Sequence, residues 1–313
     1  MEAAYGAERY REACGLLPEE LRRQALALPE AWQGSIEELR LRVGRPLAVT
    51  LPEGETPLAG SPVTGEDLER VVDRATAHSP YVAEETIRQG FVTAAGGFRV
   101  GLCGTALPEN GSNRGLRDLT SLAIRIPRAC PGAAEPLLGE LLQGNRVLST
   151  LILSPPGGGK TTLLRDLVRL LSAGEGDRRP LRVALVDERG ELAAVCRGQP
   201  QLEVGPATDI LDGCPKSEGM QMLIRAMAPQ VIITDEIGTM ADVQAMQNAL
   251  NAGVAVVTSI HGRQWSDLEG RHYLQPLLEQ HFFQCLIFLS SRQGAGTVER
   301  ILTWRDNDYV PWK

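Results

Sequence analysis

The chain has 313 residues, a formal net charge of −7 and a hydrophobic fraction of 43%. The length suits two domains with apolar cores, and the acidic pI near 5.3 argues against nucleic acid as the main partner, although a local basic strip is not excluded. The six cysteines form no C-x-x-C pair, which fits a reducing cytosol without a zinc site. Neither an apolar run of roughly 18 residues nor an N-terminal signal pattern occurs, so we expect a cytoplasmic protein.

The first 130 residues predict a small α+β domain. A helical pattern covers Arg9 to Leu28. Apolar and basic residues alternate at strand period within Ile36 to Thr50, which contains LRLRV. Thr64 and Asp67 have the spacing of a capping box, which predicts the start of another helix.

The remainder of this region adds a hairpin and a boundary. We expect a helix over Tyr81 to Gln89 and a β-hairpin over Phe91 to Thr105, turning at Gly96-Gly97. A further strand follows over Leu122 to Ile126. The Pro-rich and small-residue stretch from Pro127 to Pro136 is the natural domain boundary, so the predicted domains are 1–130 and 131–313.

The stretch LSTLILSPPGGGKTTLL contains a short apolar run, a Gly/Pro-rich turn, Lys-Thr-Thr and then a helical pattern. This succession of strand, phosphate loop and helix holds the phosphates of ATP on backbone N–H groups and a helix N-terminus. Lys160 is expected to reach the β- and γ-phosphates, and the Thr161 hydroxyl to ligate Mg²⁺. The residues predicted to bind ATP are Ser154, Pro155, Pro156, Gly157, Gly158, Gly159, Lys160, Thr161 and Thr162.

Ser154 departs from the motif G-x-x-x-x-G-K-[ST], because it stands where the first glycine belongs. A small residue can follow the strand-to-loop turn if its φ stays negative. The departure also motivates an alternative reading, in which the chain is a scaffold that binds ATP without hydrolysing it.

After the phosphate loop, strands and helices alternate, which predicts a mostly parallel sheet. Cys285 to Ser291 and Thr297 to Trp304 predict a terminal antiparallel hairpin. The strand in VIITDEIG ends in two carboxylates. Asp235 is expected to hold the Mg²⁺ shell, and Glu236 to orient and polarise the attacking water.

Two other strands end in polar residues. GVAVVTS ends in Thr258 and Ser259 and is followed by His261, and any of these three can report the γ-phosphate. LRVALV is followed by DERGE, in which Glu188 is a candidate for positioning water or for the second shell of Mg²⁺. An acidic turn without a catalytic role is an equal alternative for Glu188.

Phosphoryl transfer needs positive charge near its transition state, and the phosphate loop offers only Lys160. We therefore hypothesise that at least one of Arg99, Arg125 and Arg128 reaches the nucleotide across a domain or subunit boundary.

The chain resembles the stage III sporulation protein AA family of RecA-like ATPases, which is related to secretion and pilus ATPases. The matching stretches, spread over nearly the whole chain, are EELRLRVGRPL, GGFRVGLCGTA, SLAIRIPR, PPGGGKTTLLRD, VALVDERGE, DILDGCPKSEGM, IRAMAPQVIITDEIG and SIHG.

The resemblance implies an α/β fold in which a RecA-like P-loop core follows a smaller α+β domain. It also implies a motor subunit of a mother cell–forespore channel, in a homo-hexameric ring on the cytoplasmic face of membrane proteins, with N-domain arginines completing the ATP site. Nucleic-acid-stimulated ATP turnover is a second alternative, but 4% aromatic residues and the lack of a Lys/Arg run count against it. The role of the loop from Asp209 to Lys216 stays open.

Overall fold

The computed structural model describes residues 2–77, 87–88, 90–109, 112–127, 130–174, 178–305 and 308–311. The chain forms two compact units: Met1–Ala129 with Ala194–Leu202, here called the N-terminal unit, and Cys130–Ala193 with Glu203–Lys313, the C-terminal unit. The first unit thus takes in a segment that lies far downstream in the sequence. That residues 1–130 and 131–313 are independent domains stays a prediction.

The N-terminal unit combines short helices with an antiparallel sheet of strand order β3-β2-β1-β6-β5-β4. Tyr10, Leu39 and Leu68 are fully buried in its apolar core. The Tyr10 hydroxyl donates a hydrogen bond to Ala25 O at 2.8 Å, which satisfies the polar end of a buried ring. The elements are α1 (Glu2–Ala13), α2 (Glu19–Leu26), α3 (Glu30–Gln33), α4 (Gly65–Ala75), β1 (Glu38–Arg42), β2 (Ala48–Leu51), β3 (Gly54–Pro57), β4 (Phe91–Ala94), β5 (Phe98–Glu109) and β6 (Ser112–Arg125).

Most local predictions for this unit are confirmed. The Thr64 side chain accepts a hydrogen bond from Asp67 N at 3.2 Å, and the Asp67 carboxylate accepts one from Thr64 N at 2.9 Å, which completes the capping box of α4. The hairpin of β4 and β5 turns at Gly96-Gly97, which have φ values of 82° and 75°. The helix predicted over Tyr81–Gln89 lies almost entirely outside the described residues.

The helical pattern over Arg9 to Leu28 corresponds to two helices and not to one continuous helix. The α1 helix ends at Ala13, a 3₁₀ turn follows over Cys14–Leu16, and α2 begins only at Glu19. Leu17 has a ψ of 145°, the extended conformation that a residue before proline prefers. Pro18 therefore divides the apolar pattern between two helices.

The C-terminal unit is built on a sheet of strand order β11-β10-β12-β13-β9-β14-β15-β16. The first six of these strands are parallel, and β15 and β16 continue the sheet antiparallel. The strands of this sheet are β9 (Thr150–Ser154), β10 (Val183–Asp187), β11 (Thr208–Asp212), β12 (Val231–Glu236), β13 (Ala255–His261), β14 (Cys285–Ser290), β15 (Thr297–Arg305) and β16 (Asp308–Pro311). A separate two-stranded sheet pairs β7 (Leu142–Gln143) with β8 (Arg146–Val147).

The helices of this unit begin with the short α5 (Leu138–Leu141) and continue with α6 (Lys160–Ala173), α7 (Lys216–Met227), α8 (Met240–Asn251), α9 (Ser266–Glu269) and α10 (Gln275–Glu279). Every residue of β9 and β10 is buried, as expected for parallel strands covered on both faces. Within the described ranges, no helix combines the length and apolar character needed to cross a bilayer.

Strand register gathers the predicted site residues at one edge of this sheet. Ser154 at the end of β9 lies opposite His261 at the end of β13, and Glu236 of β12 lies opposite Ser259. The carboxyl ends of parallel strands are where open α/β sheets bind ligands.

Candidate active site

The predicted phosphate loop joins β9 to α6 in a conformation that requires glycine. Gly157 and Gly159 have φ values of 71° and 87°, which residues with a Cβ rarely adopt. Gly159 is the N-cap residue of α6, so Lys160 begins the helix. The free N–H groups at this helix start give the loop the character of an anion site.

The turn of the hairpin formed by β14 and β15 contacts the phosphate loop. Gly296 N donates a hydrogen bond to Gly158 O at 2.9 Å. A Cβ atom added to Gly159 would lie 2.4 Å from Gly296 N. The turn between these two strands therefore holds part of the loop backbone in place.

Ser154 occupies the place of the first glycine without a strained backbone. It is fully buried, and its φ is not positive. Its hydroxyl donates a hydrogen bond to Pro155 O at 3.0 Å. A Cβ on Gly158 would approach the Ser154 Oγ to 2.3 Å, so the serine side chain fills space that only a glycine at 158 leaves open.

Three predicted residues from three elements meet beside the loop. Lys160 Nζ lies 3.8 Å from Glu236 Oε2, and His261 Nε2 lies 3.0 Å from the same oxygen. Lys160 Nζ is also 3.3 Å from His261 Nε2. A cation, a carboxylate and an imidazole are thus within reach of one ligand bound on the loop, and the carboxylate is placed to accept a proton.

Asp235 is buried beside a cation that the sequence analysis missed. Lys216, which begins α7, has 6% of its surface exposed, and its Nζ lies 2.9 Å from Asp235 Oδ1 while also contacting Glu188 Oε2. Burial alone would lower the pKa of Lys216, but the charge of Asp235, aided by Glu188, raises it above its ordinary value. Burial raises the pKa of Asp235, and Lys216 offsets part of that rise.

A signal for Lys216 is present in the composition. Of the 32 Lys and Arg residues, only Lys160, Lys216 and Lys313 are lysines. Nearly all other basic residues of the chain are arginines, and two of the three lysines lie at this sheet edge. Arg and Lys are not interchangeable where a compact ammonium is needed.

Two buried oxygen atoms at this sheet edge differ in what compensates them, and Asp235 Oδ1 has the Lys216 ammonium at 2.9 Å. Ser259 Oγ has no hydrogen-bond partner among the described residues. A buried polar atom without a partner is costly unless a ligand or water satisfies it. Carboxylate and hydroxyl oxygens are ligands that suit Mg²⁺, directly or through its water shell. The residues present therefore fit a magnesium–nucleotide complex.

The other polar residues at this edge have structural partners. The Thr258 hydroxyl donates to Asp235 O at 2.5 Å, which leaves Ser259 and His261 as the sensor candidates. Of these two, His261 contacts the Glu236 carboxylate. Asp187 accepts hydrogen bonds from the backbone N–H groups of Leu192 and Ala193 at 3.0 and 2.8 Å, so it shapes the acidic turn. The neighbouring Glu188 side chain is turned to Lys216.

The predicted arginines belong to the N-terminal unit. Arg99 of β5 lies opposite Arg125 of β6, and its guanidinium carbon is 3.8 Å from the centroid of the Phe91 ring. Arg125 Nε lies 3.1 Å from Glu38 Oε1. Arg128 lies outside the described residues. That any of the three reaches nucleotide stays a prediction.

Comparison with known proteins gives concordant results. The family model for sporulation stage III, protein AA matches residues 8–308. Stage III sporulation protein AA of Bacillus subtilis (strain 168) is 45% identical over 290 residues, which cover 93% of this chain and 94% of that protein.

Among solved structures, the Legionella pneumophila ATPase DotB has a TM-score of 0.53 and 14% identity, covering 80% of this chain and 71% of its own. The pilus retraction motor PilT with bound ADP has the same TM-score and identity, covering 82% of this chain and 74% of its own. At this identity the likeness concerns the fold. The predicted RecA-like α/β fold class is confirmed.

Proposed function

The chain belongs to the family of sporulation stage III protein AA, and on that premise we propose that it is an ATP-hydrolysing motor subunit. It powers or assembles the channel complex that joins mother cell and forespore during endosporulation. The observation that carries the ATPase proposal is the meeting of Lys160, Glu236 and His261 beside a glycine loop at the start of a helix.

Each side chain has a distinct part in the proposed hydrolysis. Lys160 binds the β- and γ-phosphates, and the backbone N–H groups of the loop hold the remaining phosphate oxygens. Glu236 orients the attacking water and accepts its proton. His261 contacts Glu236 and couples the position of that carboxylate to the presence of the γ-phosphate. Thr161 and Asp235 would hold Mg²⁺, which supplies positive charge to the phosphate oxygens when bound.

We extend the proposal to assembly and location. The protein works as a homo-hexameric ring, peripheral to a membrane complex on the mother-cell side, with the channel's membrane proteins as partners. The family assignment supports the link to sporulation. At least one of Arg99, Arg125 and Arg128 supplies charge to a nucleotide across a domain or subunit boundary.

ATP turnover by the purified protein, beside Lys160→Ala and Glu236→Gln, tests the catalytic assignment. We expect both variants to lose turnover by about 100-fold or more, as when a general base or a phosphate-binding charge is removed. Light scattering with and without ATP measures the size of the oligomer and so tests ring assembly. Tight ATP binding without turnover in any oligomer would favour the scaffold, and turnover that needs nucleic acid would favour the nucleic-acid ATPase.

Substitution of all three arginines with alanine tests whether they supply charge to the nucleotide. Arg42→Ala is the matched control, because Arg42 lies on β1 of the same sheet and pairs with Glu55. We expect turnover to fall in the triple variant and to persist in the control. Unchanged turnover in the triple variant would remove the arginines from the site.

A further inference from the structure

The stretch DGCPKSEG begins α7 in a way that fixes the position of one side chain. Gly213 follows β11 with a φ of 68°, and its N–H donates a hydrogen bond to Asp187 O at 3.1 Å. Pro215 is the N-cap residue of the helix, and Lys216 is its first residue. The turn is therefore tied to the end of β10, at the edge of the sheet where the active site lies.

A second glycine draws the helix onto the same strand. Gly219 is buried in α7, and a Cβ atom added to it would lie 2.7 Å from Val186 Cγ1. Any larger residue would push the first turn of α7 away from β10. Together, the proline, the two glycines and the tight packing direct the Lys216 ammonium toward Asp235 in β12 and toward Glu188, which follows β10.

Fold stability alone gives no reason for a lysine at this place. The N-terminus of a helix carries partial positive charge, so a cation there is disfavoured. Burial of an ammonium is costly as well, unless anions compensate it. Here the compensation comes from Asp235, at 2.9 Å, and Glu188. Asp235 is the proposed Mg²⁺ ligand, and Glu188 is a candidate for positioning water or for the second shell of Mg²⁺.

We propose that Lys216 is a positioning residue of the nucleotide site, whose ammonium holds the Asp235 and Glu188 side chains in the arrangement that receives the magnesium–nucleotide complex. This inference rests on the proposed function. An ammonium has three hydrogen-bond donors on a flexible stem, so one lysine can contact carboxylates at the ends of two strands. The planar guanidinium of arginine instead matches a single carboxylate. The motif DGCPKSEG then positions this ammonium beside the two carboxylates.

The test measures how much Mg²⁺ strengthens nucleotide binding. The dissociation constant of N-methylanthraniloyl-ATP is measured by fluorescence in EDTA and in excess Mg²⁺, and the ratio of the two constants is the magnesium increment. For Lys216→Met we expect the increment to fall about tenfold, the size of effect seen when a partner that orients a metal ligand is removed. The constant in EDTA changes by a smaller factor, because Lys160 and the loop N–H groups remain.

Two further variants protect the test against misfolding and nonspecific charge effects. Lys216→Met with Glu188→Gln removes one of the two carboxylates that would otherwise face each other unpaired, and it too should show the reduced increment. Arg225→Met deletes an exposed charge from the same helix and should match the wild type. Circular dichroism identifies the variants that are folded.

An unchanged or larger increment in the folded Lys216 variants would overturn the proposal, because Lys216 would then be only structural or would compete with the metal. If the wild type shows an increment but no turnover, the motor proposal fails while the Lys216 comparison still stands. If the wild type binds no nucleotide, both fail.

Discussion

Replacement of Gly159 with alanine tests how the predicted phosphate loop is held. Gly159 has a φ of 87°, and an added Cβ would lie 2.4 Å from Gly296 N and 2.9 Å from the carbonyl carbon of Ala295. The left-handed conformation costs an alanine about 1 kcal/mol. The backbone contact forces the hairpin turn away, which costs about 1 kcal/mol for the hydrogen bond from Gly296 to Gly158 and about 1 kcal/mol for overpacking.

Gly157→Ala is the matched control. Gly157 has a φ of 71°, but nothing lies within 4 Å of an added Cβ. We expect urea unfolding to give a free energy lower by about 3 kcal/mol for Gly159→Ala and by about 1 kcal/mol for Gly157→Ala. Fluorescent ATP titration should show the larger loss of affinity for Gly159→Ala. Equal destabilisation of the two variants would refute the packing of the hairpin turn on the loop.

Two further predictions concern α8 and the end of β11. Thr239 caps α8 and accepts a hydrogen bond from Asp242 N at 3.2 Å, so Thr239→Ala should lower the free energy of unfolding by about 1 kcal/mol, while the exposed Met240→Ala should change it little. Burial, with the neighbouring Asp187 charge, raises the pKa of Asp212 to about 6. The folded state therefore binds this proton more tightly than the unfolded state, and the stabilisation present below about pH 4 is lost as the pH rises through 6. Asp212 is only partly buried, and the solvent that reaches the residue screens its charge. Asp212→Asn should therefore stabilise the protein by only about 1 kcal/mol at pH 8 and by almost nothing at pH 4. A difference independent of pH would contradict this.

The sequence predicted those features that depend on residues close together in the chain. The capping box of Thr64 and Asp67, the hairpin at Gly96-Gly97 and the strand–loop–helix around Lys160 are each encoded within a few positions. The helical pattern over Arg9 to Leu28 spans two helices, because Pro18 forces the preceding Leu17 into an extended conformation.

The contacts of Lys216 are not encoded by residues close together in the chain. Its contact with Glu188 joins residues 28 positions apart. It exists because β10 lies between β11 and β12 in the sheet, an order that the alternation of strands and helices does not specify. The proximity of Glu236 to Lys160 follows from the two predicted motifs to which they belong. The contact of His261 with Glu236 requires in addition that β13 lies between β9 and β12 in the sheet.

The segment Ala194–Leu202 has a consequence for the order of events during synthesis. It belongs to the N-terminal unit, where Gln201 Oε1 accepts a hydrogen bond from Gly96 N at 2.7 Å. A ribosome delivers this segment only after the phosphate loop and α6 have emerged. The N-terminal unit therefore cannot complete its fold first, although domains generally fold in the order in which they are made. A nascent chain stalled before residue 194 should leave the turn at Gly96 without this partner, and an expression fragment cut at the proline-rich boundary would have the same defect.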